Sequence, residues 1–307
     1  MRKKKNVLII KFGGLGDLIL SLRAIYSIKK KHSSSIVVLT EKPFDEFFTK
    51  SKWFDEVITI KRGLFYFFDK IQIGNKINLK SFEYVYDLQT SNRSSSYLSL
   101  FNKKKVRISG IGEFASIPHK NPKRNRMHTI ERQEEQLKEC GIKLSPKLDL
   151  KWLFQSRIPI PKKKFALIVP GGAKKRPNKR IPPEIYETLI QKLIKKKISP
   201  MLIGSSSDES ICKFLERKFT GIKNLCSKTT IFDIAKLSRY CQISIGNDTG
   251  PMHIISLGRK PSFVLFTKNS NPRLCAPLGK NVKIFNYHKT KKKQILTDLN
   301  YEIVKCK

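Results

Sequence analysis

Two runs of alternating strand and helix signals, separated by one proline- and lysine-rich break, constrain this chain more than any other feature. Residues 7–11 form a short continuous apolar run of the kind found in buried parallel strands. Leu18, Ile19, Leu22, Ile25 and Ile28 then recur at helical spacing. Further strand signals lie at 36–40, 56–60, 83–88 and 106–109. A charged helix over 129–140 stops at Gly141, a favoured residue just past a helix C-terminus. Residues 155–164 hold Pro159, Pro161 and three lysines and read as a linker. The alternation then restarts, with strands at 165–169, 200–204, 241–245 and 262–266. Helices fall between them at 183–196, 208–218, 230–240 and 252–257, with Thr230 suited to an N-cap. Residues 61–80 and 110–128 show no clear pattern. Two such alternations imply two doubly wound α/β domains, whose ligands sit at the carboxyl ends of the strands. The expected division is 1–158, 159–290, and a C-terminal helix over 291–307 that can pack back on the first domain.

Charge narrows the partners. Among 307 residues, 63 are Lys or Arg and 24 are Asp or Glu, a formal net charge of +39. Such a field suits a nucleic acid, an anionic membrane face or a phosphorylated substrate. The basic runs (Lys3–Lys5, Lys29–Lys31, Lys103–Lys105, Lys162–Lys164, Lys195–Lys197, Lys291–Lys293) are scattered, which also fits lysines on solvated faces. No zinc-finger spacing, RNP-like aromatic strand or other nucleic-acid module appears, so no nucleic-acid partner is expected. The six cysteines, at 140, 212, 226, 241, 275 and 306, make no C-x-x-C pair and fit a reducing compartment. The basic start and the apolar run at 7–10 imitate a signal peptide, but Lys11 and Asp17 interrupt it and no small-residue cleavage site follows. No stretch approaches the ~20 apolar residues of a membrane span. The expectation is a cytoplasmic protein that touches a membrane without crossing it.

Three strand-to-helix junctions carry candidate chemistry. The first is Lys11-Phe-Gly-Gly-Leu-Gly-Asp17, where Gly13, Gly14 and Gly16 allow close ligand approach and Asp17 opens a helix. Asp17 also fits a plain helix-start residue. The second is Gly246-Asn-Asp-Thr-Gly-Pro-Met-His253, with Asp248 and Thr249 at a strand's carboxyl end and Pro251 in the first helical turn. A capped turn that satisfies its own backbone would look similar, and His253 also fits a packed core histidine. The third runs from Pro170 to Pro182. It joins Gly171 and Gly172 to Lys174, Lys175, Arg176, Lys179 and Arg180, and fits either a diphosphate cradle or a solvated basic loop.

Taken together and in this order, these segments resemble the ADP-heptose:lipopolysaccharide heptosyltransferases, glycosyltransferase family nine. The resemblance runs from residue 7 to about residue 266. It rests on G-G-L-G-D-L-I-L-S-L, Phe54-Asp-Glu-Val-Ile58, the G-A…K-x-x-P loop, and G-N-D-T-G-P-M-H, the most specific of the four. It implies the B-type glycosyltransferase fold, two Rossmann-like domains facing across a cleft. It implies Asp17 as the general base at an acceptor hydroxyl, on the loop of Gly13, Gly14 and Gly16. It implies Lys179 as the cation at the donor phosphates, with Gly172, Ala173, Asp248, Thr249 and Gly250 holding the donor and His253 nearby. Glu209 matches an acid at the donor ribose, and Thr229 a backbone contact to the base. Ile181 stands where the family usually has Trp, and Ala173 and Lys174 where small hydroxyl residues are common, which leaves the exact sugar and nucleotide open.

The function that follows is inverting, metal-independent transfer of a heptose or related sugar from an ADP-sugar onto a lipopolysaccharide-type acceptor. Its partners would be a nucleotide-sugar donor, a phosphorylated glycolipid and the anionic inner face of the inner membrane, with no cofactor. No Asp-x-Asp pair occurs, which argues against a bridging metal. Three alternatives remain. One is a nucleotide-sugar epimerase of similar form, which would turn over donor alone. Another is a basic, non-enzymatic nucleic-acid-binding protein. The third is an NAD-dependent oxidoreductase with Glu41 at the ribose, weakened because Ile19 stands where the fingerprint needs its third glycine.

Overall fold

The computed structural model describes residues 5–78, 80–173, 176–287 and 292–305. The chain divides into two compact units, Met1–Trp152 and Leu153–Lys307.

The first unit begins with β1 (Asn6–Ile10), α1 (Leu15–Lys31), β2 (Ser35–Thr40), α2 (Phe44–Ser51) and β3 (Glu56–Thr59). It continues through α3 (Tyr66–Ile77), β4 (Phe82–Asp87), α4 (Asn92–Tyr97), β5 (Arg107–Gly110), β6 (Ile117–Pro118) and α5 (Thr129–Lys138). Its six strands are parallel, in the order β3-β2-β1-β4-β5-β6. Val7, Leu8, Ile9 and Ile10 on β1 and Ile36, Val37, Val38 and Leu39 on β2 are all buried, so both faces of these strands are covered, which is why the segments read as continuous apolar runs rather than alternating ones. Gln133 of α5 donates to Ser21 of α1 at 2.7 Å, and Gln136 donates to the Asp87 carbonyl at 2.9 Å. These buried amides fix α5 against the strand that ends at the candidate site.

The second unit begins with β7 (Phe165–Val169), α6 (Pro183–Lys195), β8 (Ser199–Leu202), α7 (Glu209–Lys218), β9 (Lys223–Asn224) and α8 (Ile231–Tyr240). There follow β10 (Ile243–Asn247), α9 (Gly250–Ser256), β11 (Ser262–Phe266), α10 (Pro272–Cys275), β12 (Val282–Asn286) and α11 (Lys292–Lys305). The parallel sheet runs β12-β11-β10-β7-β8-β9. Counted from the first strand of each unit, both sheets have the doubly wound order 3-2-1-4-5-6. The direction in which successive strands are added, though not the strands themselves, reverses between β1 and β4 in one sheet and between β7 and β10 in the other. The crevices at those reversals are where such sheets bind ligands. The glycine-rich junction follows β1, and the two junctions at 170–182 and 246–253 follow β7 and β10.

Two details differ from the expected boundaries. The 155–164 segment begins within the second unit: Ser156 accepts from Lys236 at 2.8 Å and bonds Asp233, while Arg239 stacks 3.6 Å over the Phe154 ring. The unit therefore starts at Leu153 rather than at 159. The C-terminal helix, considered free to return to the first domain, places Ile295, Leu299 and Ile303 in the second unit's core against α6. That apolar stripe, four residues apart, accounts for its docking there. Among the described residues, no helix is long and apolar enough to cross a membrane.

Candidate active site

In the first unit, β1 ends on a buried lysine. Lys11 is 3% exposed and its Nζ donates to Gln89 Oε1 at 3.2 Å. Burial lowers its pKa to about 8, against the upward pull of the Asp17 and Asp87 carboxylates. Asp87 ends β4, paired in register with Ile10. It is fully buried, and burial raises its pKa to about 6 although the Thr90 and Gln89 N–H groups and the Ser94 hydroxyl donate to it. A buried carboxyl and a buried lysine thus act on each other at the ends of the two strands where the sheet order reverses.

The loop above it is glycine for steric reasons. Gly14 has φ = 93°, a left-handed conformation, and caps α1 without a side chain. A Cβ there would stand 2.8 Å from Asp17 Oδ2, so the Asp17 carboxylate folds back over the glycine. Asp17 itself is exposed in the first turn of α1. Gly13 donates its N–H to Glu41 Oε1 at 2.9 Å, and Glu41 also accepts from Arg62 through both its oxygens. Glu41 is thereby committed to the loop and to an arginine, which removes it as a ribose-binding acid in a dinucleotide site.

Cations gather around this end. Arg62 and Arg132 both act electrostatically on Lys11. Arg124 has its pKa lowered to about 10 by burial and by Arg132, with Asp87 and Glu135 opposing. His119 bonds Arg124 through Nδ1 and lies 3.0 Å from Glu135 through Nε2. Sequence reasoning missed Lys11, Asp87, Gln89, Arg62, Arg124 and Arg132. Only Lys11, buried at the end of an apolar strand run, left a visible signal.

In the second unit, Lys179 and Asp248 meet. Lys179 Nζ lies 2.7 Å from Asp248 Oδ2, with the side chains 15% and 5% exposed. Ser270, in the loop after β11, donates to the same carboxylate. Asn178 offers its carbonyl to Thr267 at 2.9 Å and to Asn269 at 3.0 Å, which ties the lysine's short 3₁₀ turn to that loop. A cavity of about 700 Å³, lined by Lys268–Arg273 and Asn286, opens beside Ser270. No sequence motif marks the 267–273 segment. Lys174 and Lys175 lie outside the described residues.

The remaining candidates are joined to this pair through the backbone. Asn247, fully buried, donates to the Pro170 and Gly171 carbonyls at 2.7 and 2.8 Å and accepts from Tyr186 at 2.5 Å. It clamps the two junctions together. Gly172 donates to Asp208 Oδ1 at 2.9 Å, and a Cβ on Gly172 would lie 3.4 Å from the Thr249 methyl. Ala173 follows Gly172 as an exposed residue of the same loop. Gly171 must be glycine because a Cβ would run into the Asp208 carboxylate. Arg180 spans the Gly172 carbonyl, the Ser207 carbonyl and Asp208, at 2.9, 3.3 and 3.2 Å.

Glu209 follows at the start of α7, half-buried, with Lys213 at 3.0 Å and the Ser227 hydroxyl at 3.4 Å. The Lys213 ammonium, more than Ser227, holds its pKa below the usual value. Two residues beyond Ser227, the Thr229 hydroxyl oxygen is buried with no hydrogen-bond partner among the described residues. Gly250 opens α9, and His253 is 4% exposed on that helix, held in the interior. The second unit therefore gathers Gly172, Ala173, Lys179, Glu209, Thr229, Asp248, Thr249 and Gly250 along the carboxyl edge of its sheet. Among the described residues, no group of three or more His, Cys, Asp or Glu side chains is placed to hold a metal ion.

Residues 71–301 match the model of glycosyltransferase family 9 (heptosyltransferase). The chain belongs to this family. The lipopolysaccharide heptosyltransferase 2 of Escherichia coli is 27% identical over 130 residues, which is 39% of this chain and 37% of that protein. The chain spans between 21% and 37% of the length of the curated relatives it matches. Two solved structures share the fold over nearly its whole length. The E. coli heptosyltransferase WaaC with ADP gives a TM-score of 0.79 at 19% identity, covering 98% of this chain and 100% of that one. The E. coli ADP-heptose lps heptosyltransferase II gives 0.77 at 17% identity, covering 98% and 99%. The two parallel sheets of this family 9 chain are thus those of the B-type glycosyltransferase fold.

Proposed function

We propose that this chain transfers a heptose or related sugar, with inversion and without a metal, from an ADP-sugar to a phosphorylated, lipopolysaccharide-type glycolipid. The observation that carries this is the Lys179–Asp248 pair, set at the reversal of the second sheet beside Gly172 and Thr249. Departure of a nucleoside diphosphate leaves negative charge on its oxygens, and a preplaced cation stabilises that charge. Lys179 supplies the cation, and Asp248, itself bonded by the Ser270 hydroxyl, holds the ammonium in position until the donor arrives. Glu209 would meet the ribose hydroxyls, and the unsatisfied Thr229 hydroxyl lies in the segment assigned to the base.

In the first unit, Asp17 takes the proton from the acceptor hydroxyl as that oxygen bonds to the anomeric carbon. The bond to the diphosphate breaks on the opposite face, which inverts the sugar carbon. Lys11, Arg62, Arg124 and Arg132 make the surroundings of Asp17 favourable for an anionic acceptor. The net charge of +39 would draw the protein to the anionic cytoplasmic face of a membrane, where such an acceptor resides.

Calorimetric titration with ADP in excess EDTA tests the donor side. ADP binds the wild type under these conditions, and Lys179→Ala weakens it by roughly 1.5–3 kcal/mol, as for a lost charge-assisted hydrogen bond. Unchanged affinity in the variant removes Lys179 from the site. Binding only on addition of magnesium overturns the metal-free mechanism.

A further inference from the structure

Residues 64–71 make an exposed apolar cluster that the donor and acceptor machinery does not use. Leu64, Phe65, Phe67, Phe68 and Ile71 are 91, 67, 67, 57 and 43% exposed. The rings touch one another: Phe65 and Phe68 centroids lie 6.3 Å apart, and Phe67 and Phe68 5.9 Å apart. Helix α3 buries Asp69, Ile73 and Ile77 at spacing four, so Phe67, Phe68 and Ile71 fall on the face turned away from the core. Contiguous exposed apolar surface of this kind marks a binding surface rather than ordinary scatter.

The cluster is held in place. Asp69, fully buried, accepts from Arg93, from the Tyr97 hydroxyl and from the Gly63 N–H, the last at 3.0 Å. Arg93 also donates to the Gly63 carbonyl at 2.7 Å and stacks 4.9 Å from the Tyr66 ring centroid. Two of these contacts fix Gly63, just before the aromatic run. An apolar tip on so well-braced a base is suited to enter another phase.

Charge decides which phase. Residues 61–80 carry five Lys or Arg and a single acid, the buried Asp69. Arg62 and Lys80 pair with Glu41 and Glu56, which leaves Lys61, Lys70 and Lys76 flanking the cluster in sequence. Aromatic and aliphatic tips flanked by lysines match the boundary between acyl chains and anionic headgroups. The same loop reaches the acceptor side: Arg62 binds Glu41, and Glu41 accepts from Gly13. We propose that the 64–71 cluster is a wedge that inserts below the headgroups of an anionic bilayer and holds the Gly13–Asp17 loop at the height of a glycolipid's sugar. Resting on the function proposed above, it adds an apolar component to what charge alone would supply.

Co-sedimentation with phosphatidylglycerol/phosphatidylethanolamine vesicles tests it, alongside transfer to a deacylated, water-soluble acceptor. The wild type stays bound in part at high salt, where screening removes surface attraction. The triple variant Phe65→Ser, Phe67→Ser, Phe68→Ser loses at least about tenfold in partitioning at high salt, since three aromatic rings no longer leave water. Its transfer to the water-soluble acceptor is unchanged. Phe67→Trp shows emission that shifts to the blue on vesicle addition and is quenched by lipids brominated on their acyl chains. Equal partitioning of the triple variant and the wild type overturns the wedge. So does a lipid-free dimer of the wild type that the triple variant dissolves, which would make the cluster a contact between copies. Vesicle insertion without transfer to either acceptor leaves the wedge standing and overturns the glycosyltransferase function instead.

Discussion

Asp17 has what a proton acceptor needs and the neighbouring Asp87 lacks, access to an incoming hydroxyl. Asp87 is buried, with three donors already on its carboxylate. Asn in place of Asp17 keeps the shape and can still start a helix, but it is a far poorer base. Asp17→Asn therefore keeps its melting temperature and ADP affinity and loses transfer by roughly 10²–10⁴-fold. Near-normal transfer in that variant reduces Asp17 to a helix-start residue. Lys11 adds a pH dependence. It carries a proton below its pKa of about 8 and loses it above, so its attraction for an anionic acceptor fades as pH rises. The acceptor KM should climb above about pH 8 in the wild type. In Lys11→Met it should be high throughout, without that limb. A wild-type KM flat from pH 7 to pH 9 contradicts the assignment.

At the scale of elements, the junctions were legible because each joins a short apolar strand to a helix through glycine, and physics leaves few sequences that do so. Gly14 requires a left-handed φ and Gly171 leaves no room for a Cβ, so both stand out in sequence. The partners that hold the junctions did not stand out. Asn247 and Asp208 act through buried hydrogen bonds to backbone, and nothing in local spacing announces which carbonyl an amide will reach. Helix α3 was hidden for another reason: apolar residues on its outer face mask the helical stripe of Asp69, Ile73 and Ile77. Strand β12 was missed because it is only partly buried and carries Lys283. The Asp69 brace makes its own prediction. Burial raises the Asp69 pKa, but the Tyr97, Gly63 and Arg93 hydrogen bonds outweigh it and leave the pKa below the ordinary 3.8. A lowered carboxylate pKa stabilises the fold above the unfolded-state value, and that stability is lost as pH falls through the folded value. Asp69→Asn should cost about 1–3 kcal/mol at neutral pH and flatten the loss of stability on acidification. Hydrogen exchange at Gly63 should quicken in the variant. A melting temperature and exchange rate equal to those of the wild type contradict the brace.

Across the whole molecule, one strand order serves twice, and each sheet carries its polar groups at its own reversal. The first unit offers an exposed carboxylate among cations, the second a lysine held by a carboxylate beside glycine-rich backbone. The repeated strand order and the place of the three junctions were legible from the two alternations. The aromatic cluster was not, because the excess of Lys and Arg drew attention to charge alone. A sugar transferase and an epimerase can share this architecture, so activity, not fold, separates them. The most direct measurement is ADP formation from ADP-heptose in excess EDTA, with and without a deacylated lipopolysaccharide acceptor. Glycosyl transfer predicts ADP release that needs the acceptor, leaves the sugar inverted on it and falls by roughly 10²–10⁴-fold in Asp17→Asn. ADP release or sugar isomerisation at the same rate without acceptor would contradict it.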